Sequence, residues 1–445
     1  MNVLRRYSTM CVVLLAGAML AAADSEGPAE WAAAEEITAS VGDEQLRLLL
    51  GDVLQRNPRL ARLAAEAAAT AQRAPQVKAL PDPTASLTWF LLPPQTRSGP
   101  QRAAVNIVQR LPWFGTLKID EQAALWDAAA SRSLHEAAKI ELLTTTRIEM
   151  AELRFLDAEA RWVREDRTTL EHYSELALAR YASGVGIDQV VVKIQAEITR
   201  TDTRLLEIAA RRAVIVARIN ALRDRPQTTS VLPAEPRNTS PVNLDAAEIR
   251  RIALDNRPEV VAARARIEAA AARVERAKKA SSPNLVFGLN YGYVSKRDDQ
   301  SAQLNPPEDN GQDILGISGG LSIPLWKASL EAGVEERVMR RLAAEEGLRE
   351  ITASIDAELG DLLHRLPLLQ EQIGLYDGVL SVQARQSLHS AESAYAAGTV
   401  GALDLLDAER VLLQIRIAAE RVRADLNIVY ARLEGAVAGP LEERS

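Results

Sequence analysis

The chain has 445 residues and a formal net charge of −7, from 53 Lys and Arg against 60 Asp and Glu. The two signs are interleaved along its length, so no basic face is offered to a nucleic acid. Its single cysteine, Cys11, lies in the first apolar stretch, which excludes disulfides and thiolate metal sites from everything downstream.

Residues 1–23 read as a secretory signal peptide. Arg5 and Arg6 supply the positive start, Cys11 to Met19 the apolar stretch, and Ala21-Ala22-Ala23 a small-residue cleavage site before Asp24. The stretch is too short to cross a bilayer as a helix. Cys11 opens the apolar run instead of following it, which argues against a lipoprotein signal. Loss of Arg5 and Arg6 takes the net charge from −7 to −9. No later segment has about 20 unbroken apolar residues, so an exported chain of this kind reaches a membrane, if at all, by another route.

Residues 24–43 form a polar, alanine-rich lead-in without periodicity. Helices are expected at about 44–56 and 58–80, the second kinked by Pro75. Two strand-like runs follow, 86–92 and 103–111, separated by Pro93-Pro94 and Gly99-Pro100. After Pro112-Trp113-Phe114-Gly115 no proline or glycine occurs until Gly184, which predicts one helix on the order of 100 Å long. Leu156, Val163, Leu170 and Ala177 recur by sevens along it, a coiled-coil seam. A returning helix spans about 187–224, and the prolines of 225–243 mark a linker.

The plan then repeats. Pro58, Arg73, Lys78 and Pro83 have counterparts Pro258, Arg273, Lys278 and Pro283 at constant offset, and Tyr181-Ala-Ser-Gly184 is matched by Tyr395-Ala-Ala-Gly398. The expected organisation is a first repeat at 44–224, the linker, a second repeat at 244–437 and a tail at 438–445: one large unit used twice. Helices are expected at 244–256 and 259–280, strands at 284–293 and 314–323, a helix at 328–397 kinked or broken at Pro367, and a last helix at 402–436.

The four strands decide the class. Leu285, Phe287, Leu289, Tyr291 and Tyr293 alternate with small or polar residues, and Leu315, Ile317, Leu321 and Ile323 do the same. A half-buried soluble sheet shows such alternation too. Two hairpins of it in an otherwise helical, exported chain favour a membrane barrel, apolar towards lipid and polar towards the lumen. Four strands cannot close one, and open edges are not tolerated in hydrocarbon. Copies of the chain must complete the barrel together.

With these features the chain resembles the TolC-like outer membrane efflux protein family over nearly all of its mature length. The residues that carry the likeness are the two-fold repeat, Gln109-Arg-Leu-Pro-Trp-Phe-Gly115, Ser322-Ile-Pro-Leu-Trp326, and Tyr395-Ala-Ala-Gly398 leading into Leu403-Asp404-Leu-Leu-Asp407-Ala408-Glu409. The resemblance implies a mainly helical fold with a small β part: a homotrimer with a twelve-stranded outer membrane barrel above a long coiled-coil α-barrel in the periplasm. It also implies an exit duct of a tripartite efflux pump or a type I secretion outlet. Its partners would be outer membrane lipid, a periplasmic adaptor (membrane fusion) protein and an inner-membrane transporter. The Pro-Trp-Phe-Gly element and compact length are similar to the heavy-metal efflux (CzcC-like) branch, whose transporters are of the resistance-nodulation-division type. His135, His172, His364 and His389 are scattered and methionine is scarce, so no metal ladder is read. No cofactor is expected.

No catalytic motif is present, so an enzyme is not expected. Asp404 and Asp407 stand on one face at the start of the last helix. Carboxylates are ordinary in a first helical turn. In the resemblance, matching aspartates line the narrow periplasmic end of the tunnel and, repeated by symmetry, form acidic rings of a pore gate. The family's latch residues align with Val190 and Val400 here, so a salt-bridged latch is not expected. Gly184 and Gly398, with Tyr181 and Tyr395, are expected at the two hairpin tips that face the adaptor. Trp113, Phe114 and Trp326 are expected at the periplasmic membrane surface, or packed beneath the barrel. A periplasmic adaptor and a structural coiled-coil envelope protein are the other readings. The first would carry one hairpin between β-rich halves, and the second has no use for lipid-patterned strands.

Overall fold

A computed structural model describes residues 33–183, 188–232 and 245–440, all within one compact unit, Ala33–Ser445. The signal peptide, the first part of the lead-in, most of the linker, the end of the tail and Gly184 lie outside the described residues.

The chain opens with α1 (Ala33–Ala39) and α2 (Glu44–Arg56). Asp43 starts α2 by accepting the Gln45 and Leu46 N–H groups at 2.8 and 3.2 Å, a cap worth about 1 kcal/mol. Leu46, Leu49, Leu50 and Val53 bury one stripe; Ala34 and Ile37 of α1 cluster with the three leucines, and Val53 packs with Leu60 and Leu142. That packing is why a helix forms where the lead-in shows no periodicity. Asn57 ends α2 and caps α3 (Pro58–Ala71), with Pro58 at its first turn. Its amide also donates to the Leu222 carbonyl at 2.7 Å. α4 (Arg73–Lys78) is a separate helix: the chain breaks at Gln72, ahead of Pro75, whose ring opposes the carbonyl four residues earlier.

Strands β1 (Thr84–Trp89), β2 (Gln95–Thr96) and β3 (Gly99–Leu111) follow. β1 is shorter than expected, because Leu91 and Leu92 leave the sheet before Pro93. β3 is longer, starting at Gly99, which lies at φ 136°. Helix α5 (Thr116–Ala182) has 67 residues, about 100 Å, and α6 (Asp188–Leu222) returns beside it.

The same order recurs in α7 (Ala246–Asn256), α8 (Pro258–Lys278), β4 (Asn284–Val294), the short α9 (Gln300–Leu304) and β5 (Ile314–Ser322). α8 is one helix where the first half has two, since Glu275 stands where Pro75 stood. Helix α10 (Lys327–Leu375) runs through Pro367 without the expected break. Leu359, Leu362 and Leu366 bury the seam leading up to it, and that packing carries the missing rung. The irregularity comes later, as a π-helical turn at Tyr376–Leu380 that leads into α11 (Ser381–Ala396). The last helix is α12 (Ala402–Val437).

The long helices pack through small residues and a few buried charges. Ala262 and Ala265 of α8 meet Ala130 of α5, allowing close approach. A Cβ on Gly435 of α12 would overlap the Thr144 hydroxyl of α5. Arg147 of α5 pairs with Glu434 of α12, 8% and 1% exposed, and neither charge would survive there alone. Among the described residues no helix is long and apolar enough to cross a membrane.

The sheet runs antiparallel in the order β1-β3-β4-β5, so the two hairpins join through β3 and β4. Its register gathers the apolar residues into rows. Leu87 lies opposite Val105, Val105 opposite Tyr291, and Tyr291 opposite Leu315. The next row is Ala85, Ile107, Leu289 and Ile317. The opposite face carries Asn106, Asn290 and Gly316 in one row and Val108, Gly288 and Ser318 in another. Leu315 and Ile317 are 71% and 86% exposed. β1 and β5 each pair on one side only.

Candidate functional site

At one end of the helical body the α11 tip and the start of α12 are described. α11 ends at Ala396, and Gly398 takes φ 77° in open space to turn the chain. Gly401 then caps α12. The Asp404 carboxylate accepts the Gly401 N–H at 3.1 Å, so Asp404 does carry out ordinary helix-start chemistry. Asp404 and Asp407 are both exposed, while Leu405, Leu406 and Glu409 turn inward. The two aspartates therefore share an outward face, and helix capping occupies only one of them.

The first hairpin holds this tip with contacts the sequence did not reveal. Arg180, in the last turn of α5, donates to the Tyr395 carbonyl at 2.8 Å and stacks 4.4 Å above the Tyr395 ring. The Tyr173 hydroxyl donates to Glu392 of α11 at 2.9 Å. Arg410 of α12 reaches Glu197 of α6 at 2.7 Å. Val190 packs against a cluster of Leu170, Tyr173, Ala177, Val191, Ile194, Leu405 and Leu406. Tyr181 is half exposed, and Lys193 is exposed with no ion pair to either aspartate among the described residues.

Beneath the aspartates lies a cavity of about 320 Å³ between α5, α6 and α12. Two buried carboxyls open into it, Asp166 of α5 and Glu409 of α12, 6% and 4% exposed. Burial pushes Asp166 up to about 6 against the weaker pull of Thr201 and Arg204. Burial, and then the neighbouring Asp166 charge, push Glu409 up to about 7. The sequence does not single out Asp166, and the alternation of Glu409 with Arg410 suggests a solvated coiled-coil surface, whereas Glu409 is buried. The signal was there: Asp166 stands three residues after Val163 on the heptad seam, and Glu409 follows Leu405 and Leu406 at helical spacing.

At the other end, Trp113 and Phe114 meet edge to face at 5.6 Å, and the Phe114 carbonyl accepts from the Lys279 ammonium at 3.2 Å. Phe114 and Trp326 are 73% and 80% exposed beside the ends of β3 and β5. Among the described residues no group of three or more His, Cys, Asp or Glu side chains is placed to hold a metal ion.

Residues 249–439 match a family model described as outer membrane efflux protein. No curated protein matches the chain. The outer membrane protein VceC of Vibrio cholerae superposes with a TM-score of 0.74 at 22% identity, covering 92% of this chain and 98% of its own. The CmeC outer membrane channel of Campylobacter jejuni superposes at 0.75 with 15% identity, covering 89% and 86%. The MtrE outer membrane channel of Neisseria gonorrhoeae, solved in its open state, superposes at 0.72 with 18% identity, covering 90% of each. Residues 249–439 are thus similar to outer membrane efflux proteins, and the fold of the described body is that of these outer membrane channels.

Proposed function

We propose that this protein is the outer membrane exit duct of a tripartite efflux pump, conducting solutes passively from periplasm to exterior. The observation that carries the reading is the sheet: one face mostly apolar, broken by Gln109 and Gly319, the other mostly small or polar, and two outer edges without a partner among the described residues, mounted on a helical body about 100 Å long. In hydrocarbon those edges require partners, and further copies of the same strands supply them. Three copies would close a barrel of twelve strands, with α5, α6, α10 and α12 of each forming the tunnel below. Trp113, Phe114 and Trp326 then lie at the periplasmic membrane surface.

In this reading the tips, with Gly184, Gly398, Tyr181 and Tyr395, meet a periplasmic adaptor, and an inner-membrane transporter of the resistance-nodulation-division type drives the cargo. Asp404 and Asp407, repeated around the axis, make two acidic rings at the narrow end that favour cations. Val190 and Val400 cannot form a charged latch, so the closed tip rests on apolar packing with the Arg180 and Tyr173 contacts described above. The test is fractionation followed by planar-bilayer recording. The protein should enter the outer membrane fraction, need detergent for extraction and give discrete conductance steps. A water-soluble periplasmic protein without conductance would refute the duct.

A further inference from the structure

We propose that Asp166 and Glu409 form a proton-operated catch: protonated, they let the first turns of α12 seat against α5 and α6, and ionised, they release them. The inference goes beyond the duct reading, which assigns these residues nothing, but places their effect at its entrance.

The geometry shows why a proton is the missing partner. Glu409 Oε2 is buried without any hydrogen-bond partner, although it faces a cavity lined by three arginines. Each of those arginines is already engaged. From α6, Arg200 donates to Glu197 at 2.7 Å and Arg204 to Glu159 at 2.9 Å; from α12, Arg410 donates to Glu197 at 2.7 Å. Arg416 of α12 is held by Glu165 of α5 at 2.9 Å and lies over the Trp162 ring. Glu392 of α11 adds a further negative charge and is tied to Tyr173. Among the described residues Asp166 is bonded by the Thr201 hydroxyl alone, at 3.5 Å. Among the described residues no cation forms an ion pair with either carboxyl, and Arg204 and Arg416 act on them only weakly and from a distance. Protonation removes both the burial penalty and their mutual repulsion.

The sign follows from linkage. Both groups hold their protons more tightly when packed than when released, since their values rise from 3.8 to about 6 and from 4.5 to about 7. Seating is therefore strongest in acid, weakens as pH rises through that window and levels off above about 7. Glu409 lies two residues from Asp407 and five from Asp404 on the same helix, so release of this turn moves the acidic rings.

The experiment compares wild type, Glu409→Gln, Asp166→Asn and Asp404→Asn/Asp407→Asn as full-length assembled protein. Open probability in planar bilayers and the thermal midpoint in detergent are both measured at pH 5 and pH 8. Wild type should open on the order of ten-fold more often at pH 8 than at pH 5 and melt lower there. Glu409→Gln should stay near its acid behaviour at pH 8, with a smaller change in both readouts, and Asp166→Asn should do the same more weakly. The Asp404/Asp407 variant should keep the pH step. A pH-insensitive wild type, a Glu409→Gln protein that titrates like wild type, or loss of the step in the Asp404/Asp407 variant would overturn the catch. So would failure of both single variants to assemble, because each amide imitates the protonated, seated state. Assembled protein that never conducts would count against the duct, and the thermal midpoints would still decide the catch.

Discussion

At the scale of single residues, the structure separates positions whose chemistry is used up from those left over. Asp404 caps α12, and a carboxylate there contributes about 0.3–1 kcal/mol, too little to govern assembly. Replacing Asp404 and Asp407 with Asn should leave the oligomer intact while cation preference of the reconstituted pore falls and block by multivalent cations weakens. Unchanged reversal potentials would return both residues to ordinary helix-start duty. Gly435 is a packing position of a different kind, because any Cβ there meets Thr144. Gly435→Ala should cost about 1–3 kcal/mol, read as a lower thermal midpoint, and Thr144→Ala in the same chain should restore most of it. A neutral Gly435→Ala would mean that α5 and α12 are looser than described. The sequence disclosed Asp404 and Asp407 as a pair but not the ties around them. Tyr173 and Glu392 are 219 residues apart, and no local pattern joins such partners.

At the scale of elements, what local chemistry sets was legible and what tertiary pairing sets was not. The start of α2 at Glu44 and of α3 at Pro58 follow from Asp43, Asn57 and the proline, and the length of α5 from the lack of glycine and proline. Strand limits were misplaced because β1 leaves β3 after Trp89 while the apolar run continues through Leu91 and Leu92, and β3 itself runs on to Gly99 to pair with β2. The π turn at Tyr376–Leu380 and the passage of α10 through Pro367 both depend on neighbours. The link between β4 and β5 carries an accessible test of topology. Glu308 is exposed in that link, and Glu308→Cys should react with an impermeant thiol reagent on intact cells. Reaction only after the outer membrane is broken would turn the sheet upside down.

At the scale of the whole molecule, the account rests on an incomplete sheet. One chain presents rows of exposed aliphatic and aromatic side chains, leaves the outer edges of β1 and β5 without a partner among the described residues, and mounts the sheet on a body whose longest helix has 67 residues. If the strands span a membrane, their number and lipid patterning in the sequence already call for copies to join. Their count was not legible, since it depends on strand tilt and on how neighbouring helices meet. The measurement that decides the matter is the mass of the particle that conducts: detergent-purified protein is resolved by native mass spectrometry, and each fraction is recorded in a planar bilayer. Conductance should travel with the assembly of three chains and vanish in the single-chain fraction. A conducting species with the mass of one chain would contradict the shared barrel, and with it the duct.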